Sequence, residues 1–343
     1  MRKLVTHLTA CLTLALSPLM AQADLVALIY HHVSDSTPAS TSTTPALFKA
    51  QLDKIEALGL EVVDLEYGTR EALAGRADDK KYVALTFDDA YESVYTTAVP
   101  EMLRRGMPFT IFVNTDAIGG RGYMTWAQLE SLVDKPGVTI ANHSTDHAHM
   151  AKRPDESMAD WRRRVNHSLD EAQRVLKERL GVESKVFAYP YGEFDVNLER
   201  KIAERGWIGY GQQSGAIGRY SHPTRLPRFP VPDAFGQIDG LKDKLLSRAL
   251  PVDASQLPDG VITENPPTLT MTLKGDLSPS RLTCFATGQG RVEVRNPQGQ
   301  QVEITPERPF STRRFRYNCT YPAGGGRFYW LSQQWLDLSR PED

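Results

Sequence analysis

The chain has 343 residues, 41% of them hydrophobic and 24% charged. That length points to two units, and the apolar share is enough for a packed core, which excludes a disordered or fibrous protein. The formal net charge of -2 leaves no basic excess for binding nucleic acid.

Arg2 and Lys3 give a positive start, Leu4 to Met20 is mostly apolar, and Ala21-Gln22-Ala23 is a small-x-small cleavage site. This pattern is that of a secretory signal peptide over residues 1–23, and it implies export to the periplasm or the extracellular medium. No later apolar run approaches the ~20 residues of a membrane span, so no transmembrane segment is expected in the mature chain.

Leu25–Tyr30 is a short apolar run suited to a buried strand, and a Ser/Thr/Pro stretch over 34–45 reads as a loop. Leu47, Phe48, Leu52, Ile55 and Leu58 recur at helical spacing, with Gly59 as a stop. Strands are expected at Val62-Val63, Tyr82–Phe87, Phe109–Val113, Val138–Ala141, Val186–Tyr189 and Trp207–Tyr210. Helices are expected between them at 94–105, from the capping box Thr125-Trp-Ala-Gln128 to Val133, over 158–180 and over 198–205. Such alternation argues for a parallel sheet or a β/α barrel over residues 24–250.

The pattern changes after Leu250. Residues 251–267 read as a linker. From Thr268 to the end, short alternating runs are separated by Gly, Pro and Asn, the pattern of a small all-β, sandwich-like domain. Cys11 would leave with the signal peptide, and in an oxidising compartment the remaining Cys284 and Cys319 are expected to form a disulfide.

Polar residues stand where apolar strands end. Asp88 and Asp89 follow one strand, and His143 and His147 follow another. In a β/α barrel these ends share one face. Two imidazoles and a carboxylate with open coordination suit a catalytic divalent metal such as zinc or iron.

Thr86-Phe87-Asp88-Asp89, His143-Ser-Thr-Asp-His147 and Phe187-Ala-Tyr-Pro-Tyr-Gly192 resemble, in order, the first three motifs of the polysaccharide deacetylases, the NodB-homology group or carbohydrate esterase family four. The resemblance covers about residues 24–235 and implies an incomplete β/α barrel. It implies Asp88 as catalytic base, and Asp89, His143 and His147 as ligands of one divalent metal, with zinc the expected ion. It also implies that the backbone N–H of Tyr191 helps hold the oxyanion.

Two departures stand out. Many members have an Arg in the third motif that contacts the catalytic Asp, and here the position is Ala188. Arg228, in Leu226-Pro-Arg228, is a candidate replacement, with a plain surface Arg as the other reading. The usual late histidine motif is missing, and the first strand instead runs into Tyr30-His31-His32. That resembles members with a circularly permuted barrel, including deacetylases of biofilm poly-N-acetylglucosamine. It implies His31 as general acid, with His32 as the fallback.

The expected activity is hydrolysis of N-acetyl groups on an exported or cell-envelope polysaccharide containing N-acetylhexosamine. O-acetyl esterase activity on acetylated glycans is the nearest alternative, and a glycan-binding protein without turnover is the third. His149 and His222 read as solvated loop histidines, Asp146 as a partner that orients one ligand or caps a turn, and Tyr123 and Trp126 as sugar platforms or as packing residues of the core or rim.

Overall fold

The computed structural model describes residues 24–76 and 81–342, so the expected signal peptide over 1–23 lies outside the described residues. The chain begins with β1 (Leu25–Tyr30), the short strands β2 (His32–Val33) and β3 (Ser42–Thr43), α1 (Pro45–Ala57), β4 (Glu61–Val62), α2 (Leu65–Ala74) and β5 (Tyr82–Phe87). A π-helical turn at Val94–Ala98 leads into α3 (Val99–Arg105), followed by β6 (Phe109–Val113), α4 (Trp126–Val133), β7 (Val138–Asn142), α5 (Met158–Leu180), β8 (Val186–Ala188), α6 (Val196–Glu204) and β9 (Ile208–Tyr210). Then come β10 (Phe229–Pro230), α7 (Ile238–Leu245) and β11 (Arg248–Ala249).

Eight of these strands form a parallel sheet ordered β10-β1-β5-β6-β7-β8-β9, with β4 also pairing β5, while β2 and β3 pair with each other. The sheet is an incomplete barrel whose last strand, β10, lies beside the first, β1. Every residue of β1 and β5 is buried, as expected for continuous apolar strands covered on both faces. The capping box at Thr125 and Gln128 forms as the sequence predicts.

Two helices escaped the sequence reading. In α2 the apolar pattern is broken by Gly68, and the tertiary structure supplies the reason for that glycine. A Cβ there would sit 2.7 Å from Val63 Cγ2, so glycine lets the helix pack closely on the segment that follows β4. The short, charged α7 buries only Leu241 and Leu245, too few apolar positions to show a period.

The remaining strands are β12 (Leu269–Thr272), β13 (Thr283–Ala286), β14 (Gly290–Val292), β15 (Gln301–Ile304), β16 (Arg314–Gly324) and β17 (Arg327–Leu336). A five-stranded sheet, β11-β17-β16-β13-β14, faces the pair β12-β15, and the two share a core that includes Leu269, Met271, Val302, Ile304, Phe315 and Tyr317. Cys284 and Cys319 are directly opposite in the β13–β16 register and form a disulfide.

This all-β region is fastened to the barrel. Trp330 packs edge-on against Phe229 of β10, with ring centroids 5.1 Å apart. The stretch 251–267 is also tied at several points: Ala254 N–H donates to Tyr220 O, and Leu336 N–H donates to Gly260 O. Among the described residues no helix is long and apolar enough to cross a membrane.

Candidate active site

The barrel's strand ends collect the expected residues. Asp88 N–H extends the β1–β5 pairing by donating to Tyr30 O at 2.9 Å. The chain then turns sharply through Asp89 (φ 72°) and Ala90 (φ 53°). At the end of β7, Asn142 Oδ1 accepts from Ser144 N–H at 2.8 Å, and Ser144 Oγ accepts from His147 N–H at 3.1 Å. These bonds fold the His-x3-His segment into a tight loop. Ser144, His147 and Tyr191 also have positive φ. Every non-glycine residue with positive φ among the described residues thus lies at this face. Such conformations cost free energy and persist where the surroundings over-determine them, as they do at functional sites.

Asp89 Oδ1 lies 3.4 Å from His143 Nε2 and 3.2 Å from His147 Nε2. One ligand atom from each of the three falls within 4.8 Å of the others. Asp89 Oδ1 and His143 Nε2 are buried with no hydrogen-bond partner, although buried polar atoms are normally satisfied. The set fits a divalent cation held by mixed nitrogen and oxygen donors. His143 Nδ1 meets the Ala188 carbonyl at 2.7 Å, the kind of contact that fixes the tautomer and turns Nε2 toward an ion. Asp146 does not serve this purpose. It is exposed and accepts from Ser168 Oγ and Ala148 N–H.

Asp88 is fully buried beside this cluster, with Oδ2 3.9 Å from His143 Nε2. Arg228, equally buried, donates to both its carboxylate oxygens at 2.7 and 2.8 Å. Arg228 is anchored in turn on Gly211 O at 3.0 Å and Thr86 Oγ1 at 3.1 Å, and its guanidinium lies 5.2 Å from the Phe112 ring centroid. Of the two readings of Arg228, the surface arginine is excluded.

The electrostatics follow from burial and these neighbours. Burial pushes the Asp88 carboxyl up, but Arg228 and His143, with a smaller contribution from His31, hold it below its ordinary value. Burial acts on Asp89 in the same sense and is outweighed by His143, then His31 and His147. His143 is lowered by burial and raised by the two aspartates, with a net upward shift. Burial and the neighbouring His143 push His147 down to about 4.

His31 and His32 are both half-buried at the end of β1. His31 lies within electrostatic reach of Asp88, Asp89 and His147, and His32 within reach of Asp89. His32 stacks on Tyr91, with ring centroids 3.6 Å apart, and its Nδ1 lies 3.4 Å from Ser93 Oγ. Tyr91 stacks in turn on Tyr123 at 4.9 Å, while Trp126 has Arg179 over its ring at 5.7 Å. An open, hydroxyl-rich cleft of about 590 Å³ is lined by His32, Ser34, Thr37, Glu92 and Thr96.

The sequence reading of His149 is overturned: it is buried, with Nδ1 2.9 Å from Glu193 Oε2, and its ring stacks on Tyr191 at 3.9 Å. Its partner Glu193 and the residues Tyr91, Arg313 and Arg314 carried no motif that marked them. His222 stays on the periphery, half-buried, with Nδ1 2.9 Å from Thr224 Oγ1.

Comparison with known proteins agrees with this geometry. The family model for polysaccharide deacetylase matches residues 75–207. The poly-beta-1,6-N-acetyl-D-glucosamine N-deacetylase of Staphylococcus epidermidis is 22% identical over 232 residues, which cover 61% of this chain and 80% of that protein. The Escherichia coli protein of the same name is 22% identical over 245 residues, covering 59% of this chain but only 36% of its own length. The solved structure of IcaB from Ammonifex degensii superposes with a TM-score of 0.56 at 26% identity, covering 64% of this chain and 96% of that one. Residues 75–207 therefore match the polysaccharide deacetylase family, and they lie in an incomplete barrel that an all-β region follows.

Proposed function

We propose that this protein is a metal-dependent N-deacetylase of an exported or cell-envelope polysaccharide rich in N-acetylhexosamine, of the poly-N-acetylglucosamine type. The observation that carries the reading is the pair of buried ligand atoms without a hydrogen-bond partner, Asp89 Oδ1 and His143 Nε2, beside a buried Asp88 that Arg228 keeps ionised. A glycan-binding protein without turnover has no use for such a base.

Asp89, His143 and His147 would hold the ion, with zinc the expected metal. When bound, a divalent ion polarises the acetyl carbonyl and makes water more acidic. Asp88 removes a proton from the attacking water, a role that requires a carboxylate, and Arg228 both orients it and keeps it charged. The N–H of Tyr191 supports the negative oxygen of the tetrahedral state. His31 delivers a proton to the departing amine. What supports His31 over His32 is that the His32 ring is engaged with Tyr91 and Ser93. The open cleft beside His32 suits a polymer, and the N-terminal signal pattern would bring the enzyme to it.

Acetate release from β-1,6-linked N-acetylglucosamine oligomers, with and without chelator, tests this reading. Metal-dependent release is expected. Release only from O-acetylated xylan would favour the esterase alternative, and none from either substrate would leave a binding protein.

A further inference from the structure

Tyr191 is held in a left-handed backbone conformation, φ 58° and ψ 4°, within the turn Pro190–Gly192. A bulky residue adopts this conformation only where its surroundings impose it. Part of those surroundings comes from the barrel. The Tyr191 ring stacks on His149 at 3.9 Å, with 4° between the planes, and meets His147 edge-on at 4.5 Å. Part of them comes from the all-β region: the guanidinium of Arg314, at the start of β16, lies 5.2 Å from the Tyr191 ring centroid.

Glu193, two residues beyond Tyr191, joins both sets. It is fully buried, and it accepts from His149 Nδ1 at 2.9 Å, from Arg313 Nε and Nη2 at 2.9 and 3.1 Å, and from Arg314 Nη1 at 3.2 Å. Arg313 is buried as well and donates to Arg340 O at 3.1 Å. One carboxylate thus gathers two guanidiniums from 313–314 and an imidazole from the loop after β7. A tie between two regions could have been made anywhere along their shared boundary. This one ends on the turn that presents the Tyr191 N–H and on the loop that carries His147.

We propose that the C-terminal all-β region is a working part of the deacetylase site, in which Arg313 and Arg314 act through Glu193 and His149 as positioning residues for Tyr191. The proposal rests on the deacetylase reading and on Tyr191 as the oxyanion donor. Charge-assisted hydrogen bonds in a buried, multiply connected group are strong and directional, so they can fix the turn to within the tolerance that transition-state stabilisation requires.

The test uses the full mature chain loaded with zinc and two variants, Arg314→Ala and Glu193→Gln. Four quantities are read: kcat and KM for acetate release from a β-1,6-linked N-acetylglucosamine pentamer, bound zinc, and the ¹⁵N–¹H resonance of Tyr191. The expected result is a kcat lowered by roughly 10- to 100-fold, with KM within a few-fold of the parent, zinc retained and the Tyr191 resonance shifted. Arg314→Lys, which keeps the charge, should recover part of kcat. A merely structural tie would lower the melting temperature without moving kcat or the Tyr191 resonance. An active parent whose variants match it in kcat and in the Tyr191 resonance overturns the proposal and leaves the deacetylase reading standing. A zinc-loaded parent that releases no acetate overturns both.

Discussion

Arg228 grips both carboxylate oxygens of Asp88 from the far end of the barrel chain, 140 residues away, and neither side chain is exposed to solvent. In many relatives by motif the arginine on this aspartate comes from the position held here by Ala188. Here it comes from the segment just before β10, the strand that lies beside β1, so the ion pair is made from a different place in the chain.

Arg228→Ala should therefore damage catalysis and shift its pH dependence. Arg228 holds the Asp88 carboxyl below its ordinary value against the upward push of burial. Without it the carboxyl rises, so the base is protonated up to a higher pH, and the acid limb of kcat/KM should move to higher pH. The variant also leaves a buried charge unpaired, costing about 3–5 kcal/mol of stability. A pH–rate profile and a denaturant titration check both. An unmoved acid limb would mean that Asp88 is not the titrating base.

The two aspartates should be separable. Asp88→Asn preserves shape and removes the base, so bound metal should stay while turnover falls by roughly 10²-fold or more. His143→Ala should lose both metal and turnover. Elemental analysis alongside acetate release distinguishes the two. Loss of metal in Asp88→Asn would exchange the roles of Asp88 and Asp89.

His31→Ala should impair amide cleavage by roughly 10²-fold while affecting an activated acetate ester much less. An amine anion is a far poorer leaving group than an activated alkoxide or phenolate. His32→Ala should have the smaller effect on amide cleavage, through loss of its stacking on Tyr91. Equal losses on both substrates in His31→Ala, or a selective loss only in His32→Ala, would reassign the acid.

The Cys284–Cys319 bond joins two strands across a sequence separation of 35. Closing a loop of that size should stabilise the region by roughly 3–4 kcal/mol through the unfolded state. Reduction should lower the melting temperature of the all-β region while bound metal stays, since the barrel residues 24–250 contain no cysteine. Thiol counting under denaturing, non-reducing conditions should find no free thiol in protein isolated from the periplasm or medium.

The sequence by itself determined the elements whose signal is local. Leu25–Tyr30 and Tyr82–Phe87 are apolar except for Thr86 because a parallel strand covered on both faces must be nearly so, and that pattern needs no partner to be seen. The aspartates and histidines were legible for the same reason: each lies at the end of such a strand, in a short run of fixed spacing. Tertiary structure decided what depends on distant segments meeting. Nothing local to Arg228 distinguishes it from a surface arginine until the sheet places β10 against β1. His149 is as plain in sequence as any loop histidine, and its burial comes from Glu193 and Tyr191. Glu193 in turn finds Arg313 and Arg314 only once the β region is docked on the barrel. Hydrophobic periodicity is encoded over a few residues. The pairing of buried charges is encoded only in the packing that removes both partners from water, and that packing involves the whole chain.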